Sequence, residues 1–237
     1  MTNGSDSAQK AGGTGGQSSR LAQSVEVAVF LIVLMPPLVL GAFSRRPAPF
    51  GFVLQAFRTI TFEVGLVSLV LYFLWRNGEP RHRIGWTGKN LWRDVALGIA
   101  LYIPLHIASG VVAALVWMIG LSGPLMRTPV YGLPHGAAQL ALALVLAAVI
   151  AAAEETVFRG YLILRFATLT GRVSTGVVLS TVLFGVEHTY QGVAGMITVG
   201  MMGLIFALVY AWRRSLVAPI VMHFLTLALR IAVVGGL

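Results

Sequence analysis

Ionisable side chains that water would normally keep at a surface stand inside long apolar runs of this chain, and three groups of them carry reactive chemistry. The first is Ala153-Glu154-Glu155-Thr156-Val157-Phe158-Arg159-Gly160-Tyr161. On an α-helix, at about 100° per residue, Glu155 and Arg159 are i,i+4 neighbours on one face and Glu154 points about 100° away from Glu155. Arg159 then holds Glu155 as an internal ion pair, which leaves Glu154 to act as a general base toward the bundle interior. The second group is Phe184-Gly185-Val186-Glu187-His188, in which Phe184 stands one turn before His188 and can fix its ring. The third is Pro219-Ile220-Val221-Met222-His223-Phe224-Leu225-Thr226-Leu227, inside the last apolar run.

Water attack on a peptide carbonyl needs a base for the proton, donors for the developing oxyanion, and a site dry enough to strengthen both. Glu154 supplies the base, and His188 and His223 supply the donors. The same three side chains can instead hold a metal as a set of two histidines and one carboxylate. Local zinc signatures do not support that alternative: there is no His-Glu-x-x-His, and position 184, where an inverted motif would need histidine, is Phe184. A structural reading also competes, in which ion pairs merely pin helices together. One pair would suffice for that, whereas two adjacent carboxylates with a single arginine exceed it.

The elements that must hold these groups follow from composition. Of 237 residues, 57% are hydrophobic and 11% charged, against about 25% charged in ordinary globular chains. A soluble core cannot hide that much apolar surface, so a soluble enzyme, a nucleic-acid binder and a secreted module are excluded. Apolar stretches near 25–43, 50–75, 95–120, 138–166, 174–195, 196–212 and 216–237 predict an all-α, polytopic integral membrane bundle of about seven helices, within a range of six to eight. Residues 1–22 read as a disordered Gly/Ser-rich tail, and 23–237 as a single transmembrane catalytic domain. Pro36-Pro37 should kink the first span. The stretch from 174 to 212 is too long for one crossing and should break near Gln191-Gly192 or Gly195. The segment from 138 is either one tilted helix or two pieces broken near Gly160.

The formal charge of +9 and the absence of cysteine complete the frame. Lysine and arginine flank membrane spans on the cytoplasmic side, so the excess speaks for topology and not for nucleic acid. With the N-terminus cytoplasmic, that side collects Lys10, Arg20, Arg76, Arg81, Arg83, Lys89, Arg93, Arg165, Arg172, Arg213 and Arg214, while the opposite loops hold Arg45, Arg46 and Arg127. Glu26 and Arg58 lie close enough to span ends to snorkel, and Glu63 is placed for a contact with Arg58. His106, two residues after Pro104, reads as a structural histidine. Arg230, at i+7 from His223, reads as a headgroup contact in preference to a substrate-carboxylate contact.

Glu154-Glu155-x-x-x-Arg159, followed by Phe184-x-x-x-His188 and then by the His223 motif, resembles the CAAX protease and bacteriocin-processing enzyme family, that is, the type II CAAX prenyl endopeptidases and their bacterial relatives. The likeness spans about 138–229, with Gly160-Tyr161 continuing the first motif and Ile84-Gly85-Trp86 similar to a common family opening. It implies a glutamate-dependent intramembrane endopeptidase with no cofactor. Glu154 would be the base, His188 would orient or activate the water, His223 would belong to the oxyanion hole, and Glu155 and Arg159 would order the site. The implied partners are membrane lipid and a membrane-associated protein or peptide substrate, including lipid-anchored ones, processed at a C-terminus or in the manner of a bacteriocin. Ala, Gly and Arg usage reads as bacterial, which points to the inner (cell) membrane. One position departs from the pattern: Leu227 stands where the family commonly has asparagine. The departure keeps a second reading open, a non-catalytic immunity or partner-binding scaffold.

Overall fold

The computed structural model describes residues 20–43, 51–121 and 134–235. The tail at 1–19 and the loop arginines Arg45, Arg46 and Arg127 lie outside the described residues. Within them the regular elements are helical: α1 (Arg20–Phe43), α2 (Phe52–Arg76), a 3₁₀ turn (Arg81–Ile84), α3 (Leu91–Met118), α4 (Gly136–Thr170), α5 (Val173–Glu187), a second 3₁₀ turn (His188–Gln191), α6 (Gly192–Arg213) and α7 (Val217–Gly235). Among the described residues four stretches are long and apolar enough to cross a membrane, namely Phe52–Arg76, Leu91–Met118, Gly136–Thr170 and Val173–Arg213, and Val217–Val233 is a shorter apolar helix.

Lipid, not water, is the solvent for the outer faces. On α3, Ile99, Ile103, Ile107, Val111 and Leu115 recur every fourth residue and are all more than half exposed. In a soluble bundle such a stripe would point inward. The backbone donors and acceptors of these faces are satisfied within the helix itself, as a hydrocarbon environment demands.

The expected break falls at Gln191-Gly192. Gly192 adopts φ +79°, a conformation that costs glycine little, and α6 turns back antiparallel to α5. Residues of α5 and α6 then meet in reverse order: Gly185 lies against Met196 and Gly200, and Phe184 against Gly203. The segment from 136 resolves to one continuous helix, but not a regular one, since Glu155–Leu162 is a π segment between α-helical flanks. The first span stays helical through Pro36-Pro37.

Two expectations about charge are corrected. Glu26 does not snorkel: it is buried at 1% exposure, receives the Asn77 side-chain amide at 2.9 Å and stands 3.5 Å from Arg165. Arg165, counted above as a loop cation, is fully buried inside α4 and pairs with Glu79 at 2.7 Å. Ions this far from water cost several kcal/mol each unless paired, so these partners are what make the positions tolerable. A third pair, Arg213 with Asp94 at 2.7 Å, joins the end of α6 to the start of α3 at the same end of the bundle.

Close backbone approach fixes α3 on α7. A Cβ at position 98 would lie 2.8 Å from both the Ala218 carbonyl oxygen and Val221 Cβ, whereas one at position 110 would meet nothing. Gly98→Leu is therefore expected to lower stability by about 1–3 kcal/mol through overpacking. The check is chemical unfolding in detergent, with Gly110→Leu near wild type; equal losses in both variants would contradict this packing.

Candidate active site

One carbonyl of the π segment has a side-chain partner on another helix. Widening an α-helix to i→i+5 pairing frees backbone groups, and π turns persist where side chains or neighbours accommodate them. Here Ser180 of α5 donates to the Phe158 carbonyl at 2.5 Å, and Thr156 donates to Ala152 at 2.7 Å. Trp86, just after the 3₁₀ turn at 81–84, donates its indole N–H to Thr156 Oγ1 at 3.1 Å. The Ile84-Gly85-Trp86 corner thus docks on α4, where Ile84 is fully buried and a Cβ at Gly160 would lie 2.8 Å from its carbonyl oxygen.

Adjacent helical residues point about 100° apart, yet Glu154, at the end of the regular helix, and Glu155, at the start of the π segment, both reach the same imidazole. His223 Nδ1 donates to Glu155 Oε1 at 2.9 Å, and His223 Nε2 lies 3.8 Å from Glu154 Oε2. Glu155 is fully buried and is also held by Arg159 Nη1 at 3.1 Å. Arg159 gives its other terminal nitrogen to the Gly203 carbonyl at 3.2 Å. A side chain at 203 would have no room, because a Cβ there would fall 2.6 Å from the Phe184 ring.

Aromatic rings hold these groups in plane. The Arg159 guanidinium lies 4.0 Å from the Phe184 ring centre and 5.2 Å from that of Phe206, distances at which a cation is attracted to a π face. Phe206 also stacks on His223 at 5.4 Å and 24°, and Phe184 meets His223 edge-on at 6.1 Å. His188 sits 4.9 Å from Phe184, as the i,i+4 spacing leads one to expect. Its Nδ1 faces the Phe184 carbonyl at 2.9 Å. A carbonyl only accepts, so Nδ1 carries a proton, and Nε2 of the neutral ring presents a lone pair.

All five candidates, Glu154, Glu155, Arg159, His188 and His223, therefore gather around Phe184. His106 does not join them; its Nδ1 bonds the Tyr102 carbonyl within α3 at 2.9 Å. Three further residues join the site: Phe206 and Glu63, which lie outside the three motifs, and Glu187, which the second motif contains without a role. Phe206 has no polar signal to betray it. Glu63 of α2 and Glu187 of α5, both buried, interact electrostatically with Glu154. Arg58, the contact the sequence suggests for Glu63, bonds Gln55 through one guanidinium nitrogen at 3.3 Å. An intramembrane glutamate is itself a functional signal, and that was the clue available for both.

No group of three or more acidic or histidine side chains placed to hold a metal ion occurs among the described residues. At the departing position, Leu227 packs beside Ala56, Leu146 and Ile150. The neighbouring Thr226 directs its hydroxyl back to the Met222 carbonyl of its own helix at 2.9 Å.

Residues 136–229 match the family model described as type II CAAX prenyl endopeptidase Rce1-like. No curated protein and no solved structure matches the chain at a significant level.

The Glu155–Arg159 pair yields a direct test. Arg159→Met is expected to cost about 3–5 kcal/mol, since it leaves Glu155 buried beside an apolar side chain. The double variant Arg159→Met/Glu155→Gln should recover part of that loss in chemical unfolding. Strictly additive losses would mean that the two side chains are not coupled.

Proposed function

We propose, on the premise that residues 136–229 form a CAAX-protease-family domain, that the protein is an intramembrane glutamate-dependent endopeptidase. It hydrolyses a peptide bond of a membrane-associated protein or peptide. The observation that carries this reading is the single imidazole of His223 bridging two carboxylates, 2.9 Å from Glu155 and 3.8 Å from Glu154. Only Glu155 has the arginine within ion-pairing distance, so the two glutamates have different work.

In this mechanism Glu154 takes a proton from water as the water oxygen attacks the carbonyl carbon, and returns it to the leaving amine as the C–N bond breaks. His188 orients the water: its Nε2 lone pair accepts the second water hydrogen while Nδ1 stays anchored to Phe184. His223 serves the oxyanion. Because Nδ1 donates to Glu155, this role requires a proton on Nε2 as well. Glu155 and Arg159 are positioning residues that act through His223. The reaction uses no metal, and loss of cleavage with a chelator would instead assign Glu154, His188 and His223 as ligands. The substrate is processed at a C-terminus or in the manner of a bacteriocin, in a bacterial inner membrane that the chain crosses seven times from a cytoplasmic N-terminus. The basic residues at one end of the bundle favour that orientation.

The second reading, a non-catalytic immunity or partner-binding scaffold, is favoured by one observation: Leu227, packed among apolar side chains, offers no oxyanion donor at the position where the family commonly has asparagine, and the Thr226 hydroxyl beside it is turned to its own helix.

Cleavage of a quenched peptide library by purified protein in detergent separates the two. Glu154→Gln is expected to lower the rate by about 10²–10⁴-fold without loss of fold. Cleavage unaffected by this variant would remove Glu154 as the base, and no cleavage by the wild type would favour the scaffold. Leu227→Asn is expected to raise the rate, toward the roughly 10²–10³-fold that one oxyanion donor contributes. An unchanged rate would mean that another group already donates.

A further inference from the structure

A second polar feature lies away from the glutamates, at the basic end of the bundle. The C-terminal turns of α4, the start of α5, the end of α6 and the 3₁₀ turn at 81–84 enclose a cleft of about 200 Å³. Its lining is divided by chemistry. Leu164, Ala167 and Val173 form an apolar wall, whereas Arg83, Arg214 and Tyr210 bring two guanidinium groups and a phenol. No carboxylate lines it. The acidic side chains nearest this end are already engaged: Glu79 with Arg165 and Arg83, Glu26 with Arg165, and Asp94 with Arg213.

Arg214 is the informative residue. It is the only non-glycine with positive φ among the described residues, at 54°, in a helix-capping position that glycine or asparagine fills at less cost. Its backbone N–H closes the end of α6 on the Tyr210 carbonyl at 2.7 Å. Among the described residues its guanidinium lies within ion-pairing distance of no carboxylate. Arg83 holds Glu79 at 2.6 Å through one nitrogen, yet its side chain remains 44% exposed and lines the cleft.

Two guanidinium groups above an apolar wall, at the end of a membrane bundle, match a ligand with a phosphate at one end and a hydrocarbon chain at the other. We propose that this cleft is a binding site for an anionic phospholipid, with the phosphate between Arg83 and Arg214 and an acyl chain along Leu164, Ala167 and Val173. Guanidinium forks suit phosphate oxygens better than a point cation does, and basic pockets between membrane helices are recognised headgroup sites. The site is independent of the proposed hydrolysis and stands or falls separately from it.

The test uses the full chain in nanodiscs of phosphatidylcholine containing a minor share of phosphatidylglycerol, with lipid retained on release into detergent counted by native mass spectrometry. The wild type should keep one phosphatidylglycerol in preference to phosphatidylcholine. Arg83→Ala/Arg214→Ala should lower that retention roughly thirtyfold, the product of two surface cations. Val173→Trp, which fills the cleft and keeps both charges, should lower it as well. Arg76→Ala/Arg93→Ala, at the same end but outside the cleft, should not. Equal losses in the two arginine pairs, or retention unaffected by Val173→Trp, would reduce the effect to diffuse charge and overturn the site. Displacement of the lipid by millimolar inorganic phosphate would overturn it too, by making the cleft a receptor for a soluble anion.

Discussion

Everything at the candidate site depends on keeping one carboxylate, Glu155, where no water reaches it. It is tolerable there because Arg159, one turn along the same helix, and His223 of α7 both hold it, and each of those partners is fixed in turn. Arg159 is tied to the Gly203 carbonyl and lies between Phe184 and Phe206; His223 stacks on Phe206 and meets Phe184. Break any of these and a buried ion loses compensation, which is costlier than the loss of an ordinary contact. The network therefore couples α4, α5, α6 and α7 through a single charge.

The second glutamate converts that network from a structural pin into a candidate for catalysis. Both carboxylates reach the same imidazole, one paired by arginine and one not. The π segment that begins at Glu155 is contacted from outside the motif by Ser180 and Trp86, so residues distant in sequence support the helix that carries the glutamates. The corner at Ile84-Gly85-Trp86, which in sequence resembles a common family opening, packs against the helix that carries the glutamates.

The opposite strategy governs the end of the bundle where Glu26, Glu79, Asp94, Arg165 and Arg213 meet. There the pairs join helix ends to one another and satisfy charges at the boundary of the apolar interior. Arg165 shows why a positive-inside count is a census of sequence and not of location: an arginine five residues from a helix end can turn inward when two carboxylates await it. The same pairing leaves Arg214 uncommitted and gives this end its net positive character.

Much of the fold was legible because the bilayer imposes simple rules. A chain with 57% hydrophobic residues must form helices in lipid, and their limits follow from span length and from glycine and charge at the breaks. Glu154, Glu155, Arg159, His188 and His223 were legible for the same reason, since ionisable groups inside apolar runs are too costly to be incidental. What sequence periodicity could not supply was the departure from periodicity itself. The π turn, the shared approach of Glu154 and Glu155 to His223, and the inward turn of Glu26 and Arg165 all arise from partners distant in sequence. Phe206 is not legible in the sequence, because an apolar ring among apolar neighbours carries no signal until packing places it against a cation and an imidazole. Residue type determined which groups had to be sheltered; tertiary contact decided which of them share a partner.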